Sequence, residues 1–116
     1  MTIGEIRRLL DAEIYCGEDM QDTEVLYGCA CDMMSDILAL VEHQAVMLTG
    51  LVNPQVIRTA EMLDISCVVL VRGKVPTEAM IELAKERDLP LLSTKHRMFG
   101  ACGILTEAGL LDEEIN

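Results

Sequence analysis

Aromatic side chains are nearly missing from this chain: its 116 residues hold Tyr15, Tyr27 and Phe99 and no tryptophan. That argues against a base-stacking platform for single-stranded nucleic acid. Cations are scarce as well. Nine Lys+Arg stand against 20 Asp+Glu, a net charge of −11, and a grip on nucleic-acid phosphates needs clustered cations. No apolar run approaches the ~18 residues that cross a bilayer. The start, Met1-Thr2-Ile3-Gly4-Glu5, has neither the basic end nor the apolar core of a cleavable signal. The expectation is a cytoplasmic protein with neither nucleic acid nor membrane as a partner. The glycine loops that grip nucleotide phosphates are absent too, whether ending in Lys-Ser or Lys-Thr or spaced Gly-x-Gly-x-x-Gly.

What is present is apolar. Hydrophobic residues make up 51% of the chain and the mean hydropathy is +0.30, high for a small soluble protein. The length fits one domain spanning residues 1–116, and self-association, most simply as a homodimer, would hide the surplus. The central stretch sets the pattern. Ala45 to Leu48 reads as a buried strand, Thr49 and Gly50 end it, and Asn53-Pro54 start a helix that carries Val56, Ile57, Ala60 and Leu63 on one face. Ile65 to Val71 is then a continuous apolar run, as in a parallel strand covered on both faces.

The same alternation extends both ways. Thr2 and Glu5 form a capping box before Ile3, Ile6, Leu9 and Leu10. Ala12–Cys16 reads as a strand, Glu18–Glu24 as a solvated acidic connection, and Val25–Cys31 as a strand whose Gly28 marks a bulge or a close approach. Asp32 is placed to cap a helix with a Met34, Ile37, Leu38 and Val41 stripe. After the Arg72-Gly73-Lys74 turn, Thr77 caps a helix burying Met80, Leu83 and Ala84. Pro90 opens the last strand, to Ser93, and Thr94 caps a final helix with Met98, Phe99, Cys102 and Leu105. Gly100 and Gly103 within that helix imply close approach of another backbone. Asp112–Asn116 should fray. The expected fold is an α/β three-layer α/β/α sandwich around a mostly parallel sheet of about five strands.

In such a sheet, ligands collect beyond the carboxyl ends of the strands. Those ends carry Thr49, Gly50 and Asn53, then Arg72 and Lys74, then Thr94 and Lys95, which are the candidate ligand contacts for a small anionic metabolite or a nucleotide. Five cysteines, an odd number, read as reduced thiols. Cys29 and Cys31 face one side of a strand, with Cys16 and His43 as conceivable companions, yet the Cys-x2–4-Cys pairs of a closed zinc site are absent. No metal or cofactor is expected. For catalysis, His43 and His96 lack a nucleophile motif beside them, and Asp32 with Asp36 reads as a cap plus a solvated residue.

The order of these pieces resembles a known family. Val25-x6-Asp32-Met33-Met34-Ser35-Asp36, and the segment from Cys67 through Arg72-Gly73, Glu78 and Leu89-Pro90-Leu91-Leu92-Ser93-Thr94, are similar to the two halves of the DRTGG domain. The related N-terminal domain of HPr kinase/phosphorylase is similar too. The likeness runs from about Thr2 to Leu110. Asp22 and Gly28 match the residues that name the domain, while Thr23, Leu26 and Tyr27 stand where Arg, Thr and Gly are expected. The resemblance implies a non-catalytic regulatory or sensory module, of a kind found beside CBS domains, beside phosphotransacetylases or alone. The alternatives from other classes are an interaction subunit docked on an enzyme, and a thiol or metal sensor using Cys29 and Cys31.

Overall fold

The computed structural model describes residues 1–40 and 44–112. Val41 and His43, named above for a helix stripe and a metal site, lie outside them, as do the last four residues of the chain. The strands are β1 (Glu13–Cys16), β2 (Tyr27–Ala30), β3 (Ala45–Thr49), β4 (Cys67–Leu70) and β5 (Leu91–Ser93). The helices are α1 (Ile3–Leu9), α2 (Met34–Leu40), α3 (Gln55–Met62), α4 (Glu78–Glu86) and α5 (Met98–Glu107). One five-stranded sheet runs in the order β1-β5-β4-β3-β2. The pairs β2·β3, β3·β4 and β4·β5 are parallel, and only β1 runs antiparallel, against β5.

Continuous apolar runs form the central strands because both faces are covered. Met47, Val68, Leu70 and Leu91 point into one core, against Met34, Ile37, Val56, Ile57, Ala60, Met80 and Ala84 of α2, α3 and α4. Val46, Leu48, Cys67, Val69 and Leu92 alternate onto the other face, against Ile3 and Ile6 of α1 and Ala101 and Leu105 of α5. The architecture is the three-layer sandwich expected. Leu38, assigned to the buried stripe of α2, is instead 45% exposed, and Phe99 of α5 is 83% exposed.

Helix ends explain why the chain turns where it does. Thr2 and Glu5 make the capping box, and Thr77 Oγ1 accepts from the Met80 N–H. The acidic connection is more than solvated chain. The carbonyls of Thr23 and Gln21 accept from the free N–H groups of Ile3 and Gly4 at 3.1 and 2.9 Å, which closes the first turn of α1. At the carboxyl ends of α1, α3 and α4, aspartate takes the left-handed position usually given to glycine. Asp11, Asp64 and Asp88 have φ of 49°, 54° and 52°. The next residue, Ala12, Ile65 or Leu89, donates back across the last turn to Arg7, Ala60 or Ala84. Each of those apolar residues leads the chain back toward the sheet.

Gly28 is a point of close approach, not of bulging. β2 keeps an unbroken register on β3, and a Cβ at Gly28 would lie 2.8 Å from Leu110 Cδ2. The irregularity sits in β1, between Ile14 and Cys16. Leu111 extends the edge, its carbonyl accepting from the Gly28 N–H at 2.9 Å. Gly28→Val should therefore overpack this corner and lower stability by about 1–3 kcal/mol, read as a shifted urea midpoint with unchanged slope.

Candidate functional site

Parallel pairing brings the carboxyl ends of β2, β3, β4 and β5 to one rim. Asp32, just past β2, organises half of it. Its carboxylate accepts the Gly50 N–H at 2.7 Å and the Thr49 hydroxyl at 3.3 Å, both past or at the end of β3. It also pairs with the Arg72 guanidinium, beyond β4, at 3.3 Å. Asp32 is thus not the helix cap expected of it; the Met33 N–H turns to Cys31 Sγ instead, at 3.4 Å. The Gly50 N–H bond and the neighbouring Arg72 charge hold the Asp32 carboxyl below the ordinary carboxylate range, against an opposing push from partial burial.

Arg72 adopts a left-handed backbone, φ 62°, followed by Gly73 at 69°. The strain is held by two bonds to the neighbouring loop, Arg72 N–H to the His96 carbonyl at 2.8 Å and Gly73 N–H to the Thr94 carbonyl at 2.9 Å. The guanidinium lies against Gly50, with Nη2 nearest, in space that a Cβ there would fill. Only glycine at position 50 allows that approach.

The seven candidate contacts divide into buried supports and exposed groups. Thr49 is fully buried and its hydroxyl also accepts from the Leu51 N–H. Thr94, 2% exposed, donates to the Leu10 carbonyl at 2.6 Å and so ties the rim to α1. It does not cap α5, whose flanking residue is Arg97 with no side-chain cap. Asn53 spends its Oδ1 on the Gln55 N–H at 2.8 Å, one residue inside Pro54. Lys74 and Lys95 are exposed, and no described carboxylate lies within ion-pair distance of either.

Residues that the sequence did not single out complete the rim. Because β1 runs antiparallel, its start is also here, with Glu13 opposite Ser93. A cleft of about 480 Å³ opens between Asp11, Glu13 and Tyr15 on one side and Gly73, Lys95 and His96 on the other. Tyr15 donates to Glu13 Oε2 at 3.0 Å, and burial together with that carboxylate pushes its pKa up. Nothing local in the sequence announces this neighbourhood, since it depends on β1 crossing to the far side of β5.

The thiols are dispersed. Cys16, on β1, and Cys29, on β2, occupy opposite edges of the sheet, so Cys16 is no neighbour of the Cys29–Cys31 pair. Burial pushes up the pKa of Cys67, Cys16 and Cys102. Among the described residues, no three His, Cys, Asp or Glu side chains gather to hold a metal ion. None of the described helices is long and apolar enough to cross a membrane.

Comparison with known proteins adds family and fold. The family model of the DRTGG domain matches residues 5–108. A search of curated proteins gives no match. Among solved structures, the chain is similar to the CBS and DRTGG domains of the regulatory region of Clostridium perfringens pyrophosphatase, complexed with its activator diadenosine tetraphosphate. The TM-score is 0.72 at 16% identity, over 99% of this chain and 52% of the other, so this chain spans about half of that one.

Removing the Asp32 carboxylate should be felt locally and in acid. Asp32→Ala leaves the buried Thr49 hydroxyl and Gly50 N–H without their acceptor and should cost about 1–3 kcal/mol, with Asp32→Asn, which keeps an acceptor, losing less. A folded-state pKa below the unfolded one stabilises the fold above the ordinary carboxylate range, and that share disappears as pH falls through the depressed value. Denaturant titrations across the acid range should accordingly show a shallower loss of stability in Asp32→Asn than in the wild type.

Proposed function

Because the chain belongs to the DRTGG domain family, we propose that it is a non-catalytic regulatory module that binds a nucleotide or another phosphorylated metabolite at the carboxyl rim of its sheet. The observation that carries this reading is where the cations lie. Of 9 Lys+Arg in a chain of net charge −11, Arg72, Lys74, Lys95 and Arg97 stand on two loops. Those loops are joined by the backbone bonds from Arg72 to His96 and from Gly73 to Thr94. A positive focus on an acidic protein draws anions to one place and repels them elsewhere. The N-terminus of α5 adds its dipole beside Arg97.

Lys95, on the cleft, and Lys74 beside it act as the phosphate contacts, while Arg72, its guanidinium paired with Asp32, fixes the loop that carries Gly73 and Lys74. Thr49, Gly50 and Thr94 shape the loops from below, and Asn53 offers its remaining amide donors nearby. Asp11 and Glu13 on the opposite lip supply acceptors for ribose hydroxyls or an exocyclic amine, which favours a nucleotide over inorganic phosphate. The diadenosine tetraphosphate held by the similar pyrophosphatase region is a polyphosphate nucleotide, the same ligand class. The reading includes a cytoplasmic setting and no catalytic residue.

Titration calorimetry with ATP, ADP, AMP and diadenosine tetraphosphate tests it. At least one should bind, with affinity falling as salt rises, and Lys74→Ala/Lys95→Ala should weaken binding by about tenfold or more while leaving the melting temperature of the free protein unchanged. No heat and no thermal shift across that panel would overturn the proposal. Undiminished binding by the double variant would move the site elsewhere.

A further inference from the structure

The α5 helix is apolar on nearly every side, as a fully covered helix is, yet only Ala101 and Leu105 of it are buried. Phe99 is 83% exposed. Gly100 and Gly103 are exposed too, and a Cβ added at either meets nothing within 4 Å. The close approach that two helical glycines imply is therefore not made among the described residues. We infer that this face of α5 is an isologous interface, on which a second copy of the same chain docks with its own α5 antiparallel.

The pattern of bulk and hollow selects a second copy as the occupant. Phe99 and Gly103 are one turn apart on the same face, a projecting ring beside a bare stretch of backbone. A two-fold axis between them seats each Phe99 over the Gly103 of the other copy, so one surface supplies both halves of the fit. Charge agrees with that arrangement. Met98 to Thr106 carries no charge, so two chains of net charge −11 set no like charges against each other within this stretch. The antiparallel crossing also brings each exposed Glu107 to the helix end that carries the other copy's Arg97. The patch continues past Cys102 and Thr106 into a cleft of about 300 Å³ bordered by Leu111, which is 63% exposed. Phe99 alone supplies about 150 Å² or more of the ~800 Å² per partner that a specific contact needs, and this continuation extends it. The inference shares only Arg97 with the ligand reading, whose tested contacts, Lys74 and Lys95, lie on the rim loops.

Sedimentation velocity over a dilution series, with the full chain, tests it. The wild type should be a dimer, and Phe99→Ser or Gly103→Leu should weaken the dimer about 30-fold or more. Far-UV circular dichroism and a cooperative melt of each variant separate lost association from lost fold. Phe99 is exposed and a Cβ at Gly103 meets nothing within 4 Å, so each variant is expected to keep the fold. Should Gly103→Leu fail to fold, Gly103→Ala reads the same contact: alanine favours the isolated helix, so a chain that melts no lower and associates less supports the interface. A wild type that stays monomeric through the high micromolar range overturns the inference. So does a folded Phe99→Ser or Gly103 variant that associates as tightly as the wild type.

Discussion

Parallel pairing from β2 through β5 is the constraint on which the other features depend. Neighbouring parallel strands need a helix-length crossover between them, and the crossover helices cover the sheet. Here α2, α3 and α4 cover one face and α1 with α5 the other. Both-sided burial is why Ala45–Thr49 and Cys67–Leu70 are buried at every position. The same geometry sends four chain reversals to one rim, where polar groups that have no place in the sandwich can gather.

Asp32 shows how the rim is held. A carboxylate two residues before a helix has a local use as a cap, and a distant one as a shared acceptor. The distant use prevails here because β3 and β4 present Gly50, Thr49 and Arg72 together. A carboxylate matched to a backbone N–H, a hydroxyl and a guanidinium outweighs the same carboxylate with a single capping N–H. The arrangement fixes Arg72 over Gly50 and stabilises its left-handed backbone, which in turn carries Gly73 and Lys74 toward the 94–97 loop. The cleft of about 480 Å³ opens on the other side of that loop, against β1.

Charge and apolarity are segregated on the surface. The rim concentrates Arg72, Lys74, Lys95 and Arg97, while the adjoining α5 face runs from Met98 to Thr106 without a charge. Two different surface chemistries therefore sit at consecutive stretches of the chain. A polar cleft suits a small anion, and an uncharged helix with a ring and a hollow suits a protein surface.

Local signals determined much of this protein. The α/β alternation, the Thr2–Glu5 and Thr77 caps, the turn after Val71 and the two-faced strands follow from periodicity and capping chemistry, which act over a few residues. The family likeness was legible in the order of the same pieces, and the strand-end rule located the rim. Tertiary structure alone decided the rest. It sent β1 to the far edge beside β5, which separates Cys16 from Cys29 and places Glu13 and Tyr15 across from Lys95. It drew Asp32 away from its helix and buried Thr94 under α1. It also left Phe99 and the α5 glycines without a covering neighbour among the described residues. Each of these depends on which distant partner arrives, and a hydrogen bond or a packing contact spanning 40 or 84 residues, as in Arg72–Asp32 and Thr94–Leu10, leaves no mark in the local sequence.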